Sequence, residues 1–175
     1  MRSLPSEHPV NSNLSTTGVR DGQDPQAPHP LFTSIQTKRQ MARTITGTCY
    51  AYDFLPLFEK VLRTEWKNSG SVPTSNASLV KSVELVIDDS VFTGENDKPQ
   101  LKQSEREPGL NNIGMVAWLV TLLTPEFPAG RQIVLIANDI THKAGSFGTM
   151  EDKLFSAATE YARTRGIPRI YLAAN

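Results

Sequence analysis

Residues 113–123 read IGMVAWLVTLL, and residues 133–137 read IVLIA. Successive side chains of a strand point to opposite faces, so a continuous apolar run predicts a strand that is buried on both faces. Residues 124–130, which read TPEFPAG, separate the two runs, and their two prolines and one glycine predict a turn. The two runs therefore predict a β-hairpin at the centre of the fold.

A helix and a short strand are predicted after this hairpin. Thr149 is a suitable N-cap, with Asp152 three residues later in a capping-box-like pair. Gly166 and Pro168 predict the end of the helix, and residues 169–174 predict a final strand. The predicted apolar face of the helix contains Leu154, Phe155, Ala158 and Tyr161. A hairpin followed by a helix and a strand is typical of part of an α/β domain.

Upstream of the hairpin, alternating apolar residues predict strands at residues 47–52 and 79–87. Asp53 lies directly before a helical pattern and is predicted to cap a helix over residues 54–67. Residues 88–108 are polar and contain turn signals, so at most one short, exposed strand is expected there.

The N-terminal residues differ from the rest of the chain. Residues 1–33 carry few large apolar side chains and are predicted to form a disordered leader or linker, because they cannot bury enough surface to offset the entropy of ordering. Residues 34–44 predict a short basic helix whose charges form a solvated face. The predicted folded unit therefore comprises residues 34–175.

Composition limits the class of protein. Lys and Arg together number 18, as do Asp and Glu, so no broad positive field attracts nucleic acid. The single cysteine, Cys49, lies in the strand predicted at residues 47–52, so a buried and unreactive thiol is expected. A chain with one cysteine suits a reducing compartment, and a cytoplasmic location is predicted. The longest apolar run is about half of what a membrane span needs, so no span is expected.

Residues 138–148 are the candidate functional loop, because they connect the end of a buried strand to the start of a helix. Ligands of α/β sheets bind beyond the carboxyl ends of strands, and a helix start presents N–H groups that suit an oxyanion. The candidate residues are Asn138, Asp139, Gly145, Ser146 and Gly148.

Each of these residues also has a simpler interpretation. The glycines can serve a tight turn, and Asp139 can serve as a turn residue. His142 and Lys143 are adjacent in a loop and can form a solvated pair. The sequence contains no cluster with metal-ligand spacing and no phosphate-binding loop, so no metal site is predicted.

Five blocks of residues occur in the order and at the spacing of a known family. They are Lys38-Arg39 with residues 47–54 (GTCYAYDF), residues 106–109 (REPG) with 112–118 (NIGMVAW), residues 125–128 (PEFP) with Gly130-Arg131, residues 138–141 (NDIT) with 145–148 (GSFG), and Glu151-Asp152 with residues 165–175 (RGIPRIYLAAN). These blocks resemble the carboxyltransferase domain of the eukaryotic acetyl-CoA carboxylases.

The resemblance implies a partial crotonase-like fold, which is a spiral of β-β-α units. It also implies a reaction in which carboxybiotin, held on a separate carrier domain, gives its carboxyl group to acetyl-CoA to form malonyl-CoA in fatty acid biosynthesis. No metal is expected in this half-reaction. The implied partners are acetyl-CoA, the biotin carrier domain and a second copy of the parent enzyme in a homodimer. The candidate loop would then face an oxyanion or coenzyme A.

The sequence departs from the family pattern at Asn175. In the family, Ala-Ala-Asn continues with Ser-Gly-Ala-Arg, and the main substrate residues lie beyond that point. The resemblance therefore implies an incomplete N-terminal carboxyltransferase subdomain over residues 34–175 that is inactive by itself, with no catalytic residue assigned. One alternative is a truncated, non-catalytic partner that docks on a full-length carboxylase. Another is a split subunit completed by a second chain, although the zinc ribbon of bacterial and plastid β-subunits is absent from the sequence.

Overall fold

A five-stranded sheet organises the part of the chain that the computed structural model describes, which comprises residues 34–71, 73, 78–88 and 99–173. The predicted leader at residues 1–33 lies outside the described residues. The strands are β1 Val80–Ile87, β2 Leu101–Ser104, β3 Met115–Leu122, β4 Arg131–Asn138 and β5 Arg169–Leu172. The helices are α1 Ser34–Thr46, α2 Phe54–Asn68 and α3 Thr149–Arg165, with short 3-10 turns at Ala51–Asp53 and Lys143–Gly145.

The strand order across the sheet is β2-β1-β3-β4-β5. The first four strands pair antiparallel, and β3 and β4 form the predicted central hairpin, in which Met115 lies opposite Asn138 and Leu122 lies opposite Arg131. β5 pairs parallel with β4 after the chain has crossed one face of the sheet as α3. The mixed α/β class predicted from the sequence is confirmed.

Both faces of the central hairpin are covered, as the continuous apolar runs predict. On one face the core contains the side chains of Trp118 and Leu135 together with residues from α1 and from the segment before α2. On the other face Met115 and Ile136 pack against α3. Full burial of each such side chain contributes roughly 1.5–3 kcal/mol, so the hairpin supplies much of the apolar stabilisation.

The predicted helix after the hairpin is present, and its apolar face packs as expected. Leu154 and Ala158 are buried against the sheet, with Phe155 and Tyr161 partly buried beside them. The helix ends at Gly166, which adopts the left-handed conformation with φ of 63°. Its N-cap, however, is Gly148 rather than the predicted Thr149, because the carboxylate of Glu151 accepts a hydrogen bond from the Gly148 N–H.

Residues 47–52 do not form the predicted strand. Residues Ala51–Asp53 form a 3-10 turn instead, and Tyr50, Ala51 and Tyr52 are all buried. The Asp53 N–H closes this turn onto the Tyr50 carbonyl at 2.8 Å. The prediction for Cys49 is also wrong, because this residue is exposed at the start of the turn.

Asp53 lies at the predicted N-terminus of α2, but its side chain makes no capping hydrogen bond. Instead its Oδ1 accepts a hydrogen bond from Arg39 Nε of α1 at 2.5 Å. None of the helices in the described ranges is both long and apolar enough to cross a membrane.

Candidate functional site

The candidate loop runs from the last residue of β4 to the first turn of α3. Asn138 is buried and connects the start of this loop to its middle and to β5. Its Nδ2 donates to the carbonyl of Gly145 at 2.8 Å, and its Oδ1 accepts a hydrogen bond from the Tyr171 hydroxyl of β5 at 2.5 Å. Asn138 therefore shapes the loop instead of facing solvent.

Asp139 is completely buried, and its carboxylate is surrounded by donors. Oδ1 accepts hydrogen bonds from the N–H and the hydroxyl of Thr141, at 2.9 and 2.5 Å. Oδ2 accepts a hydrogen bond from Asn111 Nδ2 at 2.6 Å and lies 3.3 Å from Lys38 Nζ. The bond to the Thr141 N–H is the one expected of Asp in a turn, and a buried carboxylate with a cation beside it is an internal charge pair.

The prediction that the charges of α1 form a solvated face is wrong for Lys38, because its ammonium group lies at the candidate loop. Besides Asp139, it donates to the side chain of Asn111 at 2.8 Å and to the Asn111 carbonyl at 3.2 Å. Tyr50 lies beside the same carboxylate, with its hydroxyl 3.5 Å from Asp139 Oδ2. Burial raises the pKa of Tyr50, and the negative charge of Asp139 raises it further.

The middle of the loop is a left-handed turn. Lys143, Ala144 and Gly145 have φ values of 46°, 54° and 77°. Positive φ costs about 1 kcal/mol or more at residues with a side chain, so the buried contacts at the loop ends must hold this conformation. Within this turn the Gly145 N–H donates to the His142 carbonyl at 2.9 Å, and the Ser146 N–H donates to the Lys143 carbonyl at 3.1 Å.

Glu151 occupies the start of α3, the position whose N–H groups the sequence predicts to suit an oxyanion. Its Oε2 accepts a hydrogen bond from the Gly148 N–H at 2.9 Å, and its Oε1 accepts one from the Gly114 N–H at 2.7 Å. Burial alone would raise the pKa of Glu151, but these N–H donors outweigh burial and hold its pKa below the ordinary value. His142 is not simply a solvated residue, because its Nε2 lies 4.0 Å from Glu151 Oε1.

The structure therefore divides the five predicted residues into two groups. Asn138, Asp139 and Gly145 are buried and support the loop, whereas Ser146 is exposed and Gly148 is partly exposed. The N–H groups of Gly145, Ser146 and Gly148 already donate to acceptors within the loop or to Glu151. An oxyanion that bound these N–H groups would therefore have to displace those acceptors.

Sequence reasoning missed three residues that form this site. Lys38 is 101 positions from Asp139 and Asn111 is 28 positions from it, so no local pattern joins them. Glu151 had a detectable signal, because an acidic residue three positions after an N-cap is the capping-box pattern. Among the residues that the structure describes, no three His, Cys, Asp or Glu side chains form a group that could hold a metal ion.

Comparison with known proteins places this loop in a family. Residues 125–175 match the family described as Carboxyl transferase domain. Acetyl-CoA carboxylase of Saccharomyces cerevisiae is 48% identical over 148 residues, which cover 85% of this chain. Acetyl-CoA carboxylase of Dictyostelium discoideum is 39% identical over 180 residues, which cover 92% of this chain. The chain belongs to the carboxyl transferase family of the acetyl-CoA carboxylases.

A third relative, the mitochondrial acetyl-CoA carboxylase of Saccharomyces cerevisiae strain YJM789, is 45% identical over 148 residues and 85% of this chain. This chain spans only 6% of the two yeast relatives and 8% of the Dictyostelium protein. The similarity therefore applies to a short region of much longer proteins, and the candidate loop lies inside the part matched by the family.

Proposed function

We propose that this chain is the N-terminal part of a carboxyltransferase that transfers a carboxyl group from carboxybiotin to acetyl-CoA, giving malonyl-CoA. The observation that carries the proposal is the similarity to two acetyl-CoA carboxylases at 39% and 48% identity over most of the chain. In this proposal the biotin is carried on a separate domain, the coenzyme A thioester is the acceptor, and no metal takes part in the half-reaction.

The proposed chemistry needs hydrogen-bond donors where negative charge develops. Loss of a proton from the methyl group of the thioester gives an enolate, and the enolate carbon forms a bond to the carboxyl carbon as the bond to biotin nitrogen breaks. The electron pair of the broken bond stays on that nitrogen, which takes up the proton. N–H donors stabilise the enolate oxygen and the ureido oxygen of biotin. The exposed rim at Ser146 and Gly148 is the proposed ligand-facing part, with Asn138, Asp139 and Gly145 as its support.

The proposed role of the chain is to supply this supported loop to a larger site. The internal use of the Gly145, Ser146 and Gly148 N–H groups supports this role, because residues 138–148 then offer few donors of their own. Catalysis by the chain alone is therefore not expected. The parent enzyme is proposed to act as a homodimer together with a biotin carrier domain.

The proposed domain is a crotonase-like subdomain over residues 34–175. The order hairpin, helix and parallel strand from β3 to β5 supports it, because one β-β-α unit followed by the next strand has this order. The proposed compartment is the cytoplasm. A fluorescent fusion of the full chain tests this, and import into mitochondria, the compartment named for one relative, is the competing outcome.

A chimera tests the function directly. Residues 34–175 replace the matching segment of the Saccharomyces cerevisiae acetyl-CoA carboxylase named above. We expect the purified chimera to form malonyl-CoA from acetyl-CoA, bicarbonate and ATP, and the isolated chain to form none. A folded chimera that carboxylates its biotin but forms no malonyl-CoA would contradict the proposal.

The loop is tested in the same chimera. Replacing Ser146 with alanine removes an exposed hydroxyl, and a matched control is Ser156→Ala, which removes a hydroxyl from α3 outside the loop. We expect Ser146→Ala to raise the KM for acetyl-CoA while leaving biotin carboxylation unchanged, and the control to change neither. Equal effects of the two substitutions would contradict a ligand-facing loop.

A further inference from the structure

Helix α1 is attached to the rest of the fold by charged side chains, Lys38 and Arg39. Lys38 contacts Asp139 and Asn111, and Arg39 pairs with Asp53. Among the side chains of α1 that the structure describes, the apolar contacts to the core are those of Ala42, which is buried, and Ile35, which is partly buried. Because the Asp139 carboxylate is completely buried and Asp53 is partly exposed, this attachment depends most on the charge of Lys38.

Two of these contacts place α1 directly against the residues that support the candidate loop. Lys38 is the cation next to the buried Asp139 carboxylate, whose other donors, Asn111, Tyr50 and Thr141, are neutral groups. A buried carboxylate without a cation is costly, so removal of Lys38 should disturb whatever Asp139 holds in place. Asp139 holds the first turn of the loop through its two bonds to Thr141.

The backbone of α1 also approaches the chain closely beside this cluster. A Cβ atom added to Gly109, which has φ of +93°, would lie 3.0 Å from both the N and the Cα of Ile35. Because backbone atoms cannot move aside as a flexible side chain does, only glycine fits under the first turn of α1. The position of Lys38 is thus set by packing as well as by charge.

We propose that Lys38 is a positioning residue: α1 docks as a strap that supplies the counter-charge for Asp139 and so fixes the conformation of residues 139–148. Undocking of α1 would release the loop while leaving the central hairpin intact. Any importance of the docked α1 for catalysis rests on the proposed function of the loop. The docking itself does not depend on that function.

Hydrogen–deuterium exchange on the full chain tests the strap. Lys38→Met keeps the aliphatic stem and removes the charge. We expect exchange of the amides in residues 139–148 to accelerate roughly tenfold or more, with little change in β1 and β3, because an uncompensated buried carboxylate destabilises its immediate surroundings. Arg39→Met is the matched control, since its partner Asp53 is partly exposed, and it should leave exchange of the loop within a few-fold of the native chain.

A second substitution separates charge compensation from simple loss of packing. Asp139→Asn removes the buried charge, so Lys38→Met should have a several-fold smaller effect on loop exchange in that background. Gly109→Ala, which displaces α1 without changing a charge, should also accelerate loop exchange. Unchanged loop exchange in Lys38→Met, equal acceleration throughout the sheet, or an equal effect of Lys38→Met in the Asp139→Asn background would each overturn the proposal.

The proposed function fails independently of this device. The chimera described above reports malonyl-CoA formation, whereas exchange reports the conformation of the loop. A chimera without activity alongside the expected exchange pattern would reject the carboxyltransferase role and retain the strap.

Discussion

The carboxylate of Glu151 accepts a hydrogen bond from the Gly114 N–H at 2.7 Å, and this bond ties the first turn of α3 to the segment that enters β3. The same side chain caps α3 through Gly148, so one acidic residue connects the helix, the candidate loop and the central hairpin. Its side chain is almost fully buried, and removing the carboxylate leaves the buried Gly114 N–H without its acceptor.

Glu151→Ala is expected to lower the free energy of unfolding by about 2–3 kcal/mol, because two hydrogen bonds to a charged acceptor are lost. Glu151→Gln should cost less, since one acceptor oxygen remains. Urea denaturation at neutral pH measures both. Asp152→Ala, on the exposed side of the same turn, is the control and should cost under about 1 kcal/mol. A loss in Glu151→Ala no greater than in the control would contradict this role.

The lowered pKa of Glu151 also predicts that the chain loses stability in acid. Its pKa is lowered in the folded chain, so its contribution is present above 4.5, the ordinary pKa of the group, and disappears as pH falls through the lowered folded value. Between neutral pH and strong acid the native chain should therefore lose more stability than Glu151→Gln. Denaturation curves recorded at several pH values measure the difference, and parallel losses in the two proteins would refute the prediction.

Arg106 and Tyr52 both bind the buried Glu84 carboxylate. Arg106 donates from Nε at 3.1 Å and also from Nη2, and the Tyr52 hydroxyl donates at 2.9 Å. Burial alone would lower the pKa of Arg106, but the bond to Glu84 and its charge raise it. Arg106→Met is expected to cost about 3 kcal/mol because it leaves a buried carboxylate without its cation, and the cost should shrink when Glu84→Gln is also present. Additive costs in urea denaturation would show that no such coupling exists.

The raised pKa values of Tyr50 and Tyr52 predict that the chain loses stability in alkali. The pKa of each is raised above the ordinary 10.0, first by burial and then by a neighbouring carboxylate, Asp139 or Glu84. A raised pKa favours the fold below pH 10, and this advantage is lost as pH rises further, because only the unfolded chain ionises readily. Tyr52→Phe should be less sensitive between pH 10 and 12 than the native chain, as thermal unfolding would measure. Equal losses of stability in Tyr52→Phe and the native chain would contradict the prediction.

Gly130 in the turn of the central hairpin is expected to tolerate substitution poorly. It has φ of +99°, and an added Cβ would lie 2.7 Å from Thr121 Cγ2. Gly166 also has positive φ, but an added Cβ meets nothing within 4 Å. Gly166→Ala should therefore cost about 1 kcal/mol and Gly130→Ala clearly more. Thr121→Ser removes the clashing methyl group, so adding it to Gly130→Ala should recover part of the cost. Thermal unfolding of the three single variants and of the double variant measures this. Equal costs at the two glycines would contradict the steric argument.

Much of the fold was predictable because its patterns are local. The hairpin of β3 and β4 follows from apolar runs long enough to indicate burial on both faces, and the end of α3 follows from Gly166. The failure at residues 47–52 has a physical reason: alternation of apolar residues indicates a strand only when a neighbouring strand is present to pair with it. There the aromatic rings of Tyr50 and Tyr52 fill the core from a turn instead, and Cys49 is left exposed.

The sequence predicted correctly that residues 138–148 connect a buried strand to a helix, but the contacts within this segment were not predictable. Asn138 and Asp139 could equally have been ligand-facing or structural, since both are common after a strand. They are structural because distant residues bind their side chains. Those residues come from α1, from the segment before β3 and from β5. A sequence pattern contains no information about which distant donor reaches a given carboxylate.

The sequence by itself determined the α/β class, the central hairpin, the helix that follows it and the resemblance to the carboxyltransferases, because periodicity, turn residues and ordered motifs are properties of neighbouring positions. Only the tertiary structure decided that Lys38 neutralises Asp139 and that Glu151 binds Gly114. These contacts join residues 101 and 37 positions apart. The packing that removes water from a buried charge also determines which groups lie beside it, and that packing exists only in the folded chain.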